Sequence, residues 1–178
     1  MSLSFRQPDT NQVTRLIKAF RVQPAPSMGA RLDILLRLAQ LDDARIGPLL
    51  LAAVADLDEL GEVRINALKW LRDTPRLTPD HRAVAATILS AVQAGNSPDL
   101  RLQAAFTLED FADVDGVLTT LGGLALDPAE LIDVRYAAFT SLEHGGPTPE
   151  CVTLLGQLTA DETFGDAARS LLSRWQRS

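Results

Sequence analysis

A single cysteine, two histidines and one tyrosine leave this 178-residue chain short of the side chains that most active sites use. Cys151 has no second thiol to pair with, so no intramolecular disulfide braces the fold and nothing calls for an oxidising compartment. His81, His144 and Cys151 fall in no spacing that zinc ligands adopt, so neither a metal nor a cofactor is expected. No stretch approaches the ~20 apolar residues of a membrane span. The first residues carry Arg6, Arg15 and Lys18 without a signal peptide's apolar run, so a cytoplasmic protein with no membrane association is expected. Aromatics are scarce at 5%, whereas hydrophobic residues reach 46% and are mostly Leu and Ala. That balance favours closely packed helices over the β-branched and aromatic faces of sheets, in one domain over residues 1–178.

Positive charge is sparse in the middle. Residues 47–166 hold seven cations against 19 acids, a net of −12, while residues 1–46 and 167–178 are each +3. Such a field repels phosphates, which makes nucleic acid an unfavourable partner and a basic protein a favourable one.

What the chain does contain is a repeat. Glu62-Val63-Arg64 leads to Ala67, Leu68 and Leu71; Asp99-Leu100-Arg101 leads to Ala104, Ala105 and Leu108; Asp133-Val134-Arg135 leads to Ala138 and Leu142. A weaker copy has Ala30, Arg31, Ile34, Leu35 and Leu38, and another has Asp166, Ala167, Leu171, Leu172 and Trp175, with Ala168 at the arginine position. The markers Arg31, Arg64, Arg101, Arg135 and Ala168 are spaced by 33, 37, 34 and 33 residues, a period that suits two short helices.

Helix punctuation agrees with this period. Capping residues stand at Asp9 or Thr10, Ser27, Asp42 or Asp43, and Asp113 or Asp115. Ser97-Pro98, Thr78-Pro79, Asp127-Pro128 and Thr148-Pro149 add a proline suited to the first turn, and Pro24, Pro26 and Pro75 mark stops. The expected fold is all-α, a right-handed α-solenoid of about five antiparallel helix pairs at residues 9–41, 42–74, 77–111, 112–145 and 147–176. Gly122-Gly123 inside a helix costs about 2 kcal/mol relative to alanines, which predicts close backbone approach, a kink or a helix end.

The pattern acid-Val-Arg-x-x-Ala-x-x-x-Leu resembles HEAT repeats, especially the short HEAT-like type of phycobilisome lyases, over roughly residues 10–175. The Thr-Pro-Leu-His signature of ankyrin repeats and the Trp-Gly-Tyr-Ala-Pro pattern of tetratricopeptide repeats are absent. The resemblance implies that Glu62, Arg64, Asp99, Arg101, Asp133 and Arg135 form a structural ladder between repeats. It also implies that the second helices line a concave face. Helical spacing from the acid position then places Asn66, Lys69 and Asp73, Gln103, Phe106 and Asp110, and Ala137, Thr140 and His144 on that face, with Trp70 at its edge.

On this reading the protein is a non-catalytic interaction or scaffold module for a basic or amphipathic protein segment, with self-association into a homo-oligomer as a further role. Phe106 and Trp70 would be apolar anchors; Asp73, Asp110 and Asp133 would be electrostatic partners. Leu36 in the first copy has the same apolar character. The alternative is a DNA-binding or lesion-processing protein similar in architecture to the HEAT-like alkylpurine DNA glycosylases. Trp70, Asp73, Phe106 and Asp110 mimic the aromatic and acidic components, but the middle repeats lack a basic track for phosphates. His144 and Cys151 lie seven residues apart across Gly145-Gly146-Pro147 without a third group to orient them, so catalysis is not expected there.

Overall fold

A computed structural model describes residues 10–22, 27–73, 80–93 and 95–177. Asp9, Pro24, Pro26, Pro75, Thr78 and Pro79 lie outside the described residues, as do the side chains of Thr10 and Asp73. Among the described residues the regular structure is entirely helical. The chain divides into two compact units, residues 1–87 and 88–178, with the boundary inside the fifth helix.

In the first unit, α1 (Thr10–Phe20) packs on α2 (Met28–Ala39), and α3 (Ile46–Ala55) packs on α4 (Gly61–Asp73), while α2 also meets α4. Ser27 caps α2, its hydroxyl accepting from the Ala30 amide. Asp43 bends the chain into α3 by accepting from Arg45 N and, through its backbone carbonyl, from Ile46 N. Pro48 then sits in the first turn, where its missing N–H costs no helical bond. Leu35, Leu38, Ile46, Leu50, Leu68 and Leu71 are fully buried, as their 3.6-residue spacing requires. The fifth helix, α5 (His81–Ala91), starts beneath Asp80, whose carboxylate accepts from Ala83 N.

The second unit contains α6 (Pro98–Thr107), continued by a 3-10 turn over Leu108–Phe111, then α7 (Val117–Leu126), α8 (Ile132–His144), α9 (Pro149–Leu158) and α10 (Gly165–Trp175). Here α7 packs on α8 and α9 on α10; in addition α6 meets α8 and α7 meets α9. Ser97 and Thr148 cap α6 and α9, each followed by proline in the first turn. Asp127-Pro128 does not start a helix. Asp127 ends α7, its carboxylate accepts from Ala129 N in a tight turn, and α8 begins only at Ile132. The two glycines of α7 leave it unbroken and have different roles. A β-carbon on Gly122 would stand 2.5 Å from the Leu154 side chain of α9, whereas Gly123 faces open space. Gly122 therefore marks a close approach of two helices.

Candidate functional site

The five arginines near the starts of the second helices share one task. Nε of Arg64 donates to Val54 O at 2.9 Å, Nε of Arg101 to Val92 O at 2.9 Å and Nε of Arg135 to Ala125 O at 3.0 Å, while Arg31 reaches Phe20 O through Nη1 at 3.0 Å. Each acceptor lies at or near the C-terminal end of the preceding helix, where carbonyls lack intrahelical partners and the helix dipole attracts a cation. In the last pair the cation is Arg169, which donates to Thr159 O. The fifth marker is therefore Arg169, one residue beyond Ala168, and it lies 34 residues after Arg135.

The remaining guanidinium donors of three arginines meet carboxylates. Arg31 forms a two-pronged pair with Glu59, and Arg101 forms another with Glu130. Arg135 meets Asp161 at 2.5 Å and lies over the Phe164 ring, 4.9 Å from its centre. These acids sit in the loop of the next helix pair. Glu59 and Glu130 also accept from the amides of Leu60 and Leu131, so one carboxylate both shapes its own loop and holds the neighbouring pair. Glu62, Asp99 and Asp133, the acids expected in the ladder, are instead exposed in the first turns of α4, α6 and α8. Two residues before the arginine, an acid points outward; the acids that meet a guanidinium lie five residues before the following arginine, as Glu59 and Glu130 do, or eight before it, as Asp161 does.

Burial pushes the Asp161 carboxyl upward, but the amides of Phe164 and Thr163 and the Arg135 guanidinium outweigh it and hold the group below the ordinary carboxylate value. Arg64, bonded to Val54 O, is also lowered, which for an arginine disfavours the charged form: burial lowers its pKa, opposed only by the charge of Asp56.

The expected partner-binding residues fall into the two units. In the first, Asn66 is half-buried and donates to Glu62 O, Lys69 is exposed, and Trp70 is half-buried. Asp73 closes α4, but its side chain lies outside the described residues. In the second, Gln103 and Phe106 are half-buried on α6, and Gln103 is tied to Thr107. Asp110 is exposed in the 3-10 turn, and Thr140 and His144 lie on α8. Ala137, placed on the same stripe, is buried, so the stripe does not run unbroken along the surface of α8. Trp70 and Phe106 are partly covered and do not stand out as open anchors. Leu36, by contrast, is exposed.

The larger exposed apolar group on the second unit belongs to the start of α8. Leu131, Ile132 and Tyr136 are 50%, 47% and 51% exposed, beside the exposed Asp133. Ile132 and Tyr136 share a face by their four-residue spacing, and the Tyr136 ring stands edge-on to Phe164 at 4.8 Å, which fixes its direction. Their hydrophobicity was visible in the sequence, but their exposure depends on which neighbours pack over α8.

His144 and Cys151 do not form a dyad. Nδ1 of His144 lies 3.0 Å from Thr140 O and 3.2 Å from the Glu109 carboxylate, so it faces two acceptors. Cys151 is buried, and that burial raises its thiol pKa, the opposite of what a nucleophile needs. No protein-family model matches the chain, and no curated protein matches it.

Proposed function

We propose that this chain is a non-catalytic protein-interaction module of the HEAT-like kind, its helix pairs stacked as a right-handed α-solenoid whose second helices offer a concave face to a basic or amphipathic protein segment. The observation that carries this reading is the exposed Leu131, Ile132 and Tyr136 group beside Asp133, large apolar side chains next to an acid. Exposed aromatic and aliphatic residues at an acidic rim suit an anchor for a partner that brings both apolar surface and positive charge. Asp99 and Asp110 supply further exposed acids within the same unit, and the net −12 of residues 47–166 would steer such a partner.

The contacts of α2 with α4 and of α6 with α8 support stacking of second helices, and the shared arginine bonds support a rigid scaffold. The test is affinity capture from a lysate of the source organism with wild type, Ile132→Ser/Tyr136→Ser and Phe106→Ala/Asp110→Lys, each verified as folded, followed by titration of the captured protein. A partner that binds wild type and is lost or at least tenfold weaker with the first variant supports this reading. Equal binding by all three removes it, and retention of DNA in place of protein transfers the reading to the nucleic-acid alternative.

A further inference from the structure

The first unit carries a groove of opposite character. An open trough of about 800 Å³ runs between one face of α1 and the approach to α3, lined by Ile17, Lys18, Arg21, Val22, Arg45 and Pro48 among others. Thr14, Ile17, Lys18 and Arg21 stand at positions i, i+3, i+4 and i+7, so they form one continuous helical face. Val22 is 49% exposed, and most of the lining surface is apolar.

Among the described residues, three cations line the trough and no acid does. Arg45 is neutralised in part by Asp43 and ties the two helix pairs together through Thr14. Lys18 and Arg21 are exposed and form no ion pair among the described residues. A protein of net charge −6 thus concentrates unneutralised positive charge along an apolar trough.

From this charge and shape we infer a second docking site, for an acidic amphipathic helical segment of a partner protein. The trough is more open than enclosed, a shape that suits a segment laid across it. Its wall from Thr14 along α1 to Arg21, one residue past the helix end, is about 10 Å long, the length of roughly two helical turns. A helix laid there would place apolar side chains at i, i+3 and i+4 against Ile17, Val22 and Pro48, and its flanking carboxylates would meet Lys18 and Arg21. This site is independent of the acidic surface around Asp133 and takes a partner of the opposite charge.

Fluorescence anisotropy of the full chain with a labelled amphipathic Leu/Glu peptide of about 14 residues tests this. A Leu/Lys peptide of the same length and a single-stranded oligonucleotide serve as competitors for the assignment. The Leu/Glu peptide is expected to saturate below about 100 µM, to weaken about tenfold with Lys18→Glu/Arg21→Glu, and to weaken about threefold with Val22→Ser. Asp110→Lys/Asp133→Lys should leave this binding intact, which separates the site from the one under Proposed function. Because Lys18 and Arg21 are exposed, their variants should keep the wild-type helical circular dichroism. The inference is overturned by absence of saturation, by indifference to Lys18→Glu/Arg21→Glu, by equal affinity for the Leu/Lys peptide, or by tighter binding of the oligonucleotide.

Discussion

The loops Asp127–Leu131 and Asp161–Gly165 hold the same place in successive helix pairs and do the same job with different chemistry. In the first, Glu130 reaches back as a fork to Arg101. In the second, phenylalanine stands where the glutamate would be, so Asp161 moves from shaping its own loop to meeting Arg135 as well, and the Phe164 ring takes the face of the guanidinium. One acid therefore stands in for the two of the first loop, Asp127 and Glu130, and an aromatic face replaces part of the lost charge. The comparison shows which part of the arrangement tolerates change. The arginine's bond to the preceding helix end recurs in both pairs, while the partner from the next pair varies.

Removing the arginine should have the largest effect. Arg135→Ala strands Asp161 and Ala125 O and uncovers Phe164, for an expected loss of about 3 kcal/mol. Urea denaturation would read this as a lower midpoint. Arg135→Met, which keeps the aliphatic cover, should lose less, and equal losses would show that the charge carries the effect alone.

Removing the acids should separate the two loops. Glu130→Gln leaves Arg101 without a counter-charge and is expected to cost about 2 kcal/mol. For Asp161→Asn the expected cost is about 1 kcal/mol, because the Phe164 face remains. A larger loss for Asp161→Asn would break the proposed substitution of ring for carboxylate.

Acid denaturation sharpens the same contrast. Asp161 has a folded pKa below its ordinary value, so its contribution is complete above the unfolded carboxyl value near 4 and is lost as pH falls through the folded value. Asp161→Asn should therefore flatten the low-pH limb of a stability profile while lowering stability at neutral pH. An unchanged low-pH limb would mean that the carboxylate is not stabilised by folding.

The smallest effect concerns the other half of the joint between these pairs, where α7 lies against α9 through Gly122 and Leu154. Gly122→Ala should cost about 1 kcal/mol by displacing Leu154, whereas Gly123→Ala, in open space, should gain about 0.5–1 kcal/mol from helix propensity. The same sign for both substitutions, in thermal melts, would remove the close approach as the reason for Gly122.

Most of the helices and four of the five arginine positions were legible in the sequence because their signals are local; Arg169 was missed one residue beyond Ala168. Ser27, Ser97 and Thr148 cap helices within three residues, and the apolar spacing around Arg64, Arg101 and Arg135 defines buried faces. The partners of the arginines were harder to see. Glu59, Glu130 and Asp161 lie 28, 29 and 26 residues after the arginines they meet, whereas Glu62, Asp99 and Asp133 stand two residues before an arginine and draw attention by proximity. Neighbours in a helix two residues apart point in different directions, so that nearness carries no contact.

The surface was the least legible part. Trp70 and Phe106 are partly covered, and Tyr136 and Ile132 stand out, because exposure is decided by the packing of elements distant in sequence. Asp127-Pro128 misleads for a related reason: aspartate accepts an amide two residues on as readily in a turn as at a helix start.

The arginine bonds also bear on how such a chain can be copied. The clamps of Arg31, Arg101 and Arg135 are shared, with the cation in one pair and the acid in the loop of the next, so the electrically complete segment runs from an arginine to the following loop, as from Arg31 to Glu59 or Arg101 to Glu130. A gene duplication cut at the visible ends of a helix pair inherits the cation of its own pair and the acid meant for its predecessor. Pairs that keep a common arginine and loop can then be exchanged without stranding a buried charge. The charge-complete module is consequently offset by one helix from the helix pair the eye picks out.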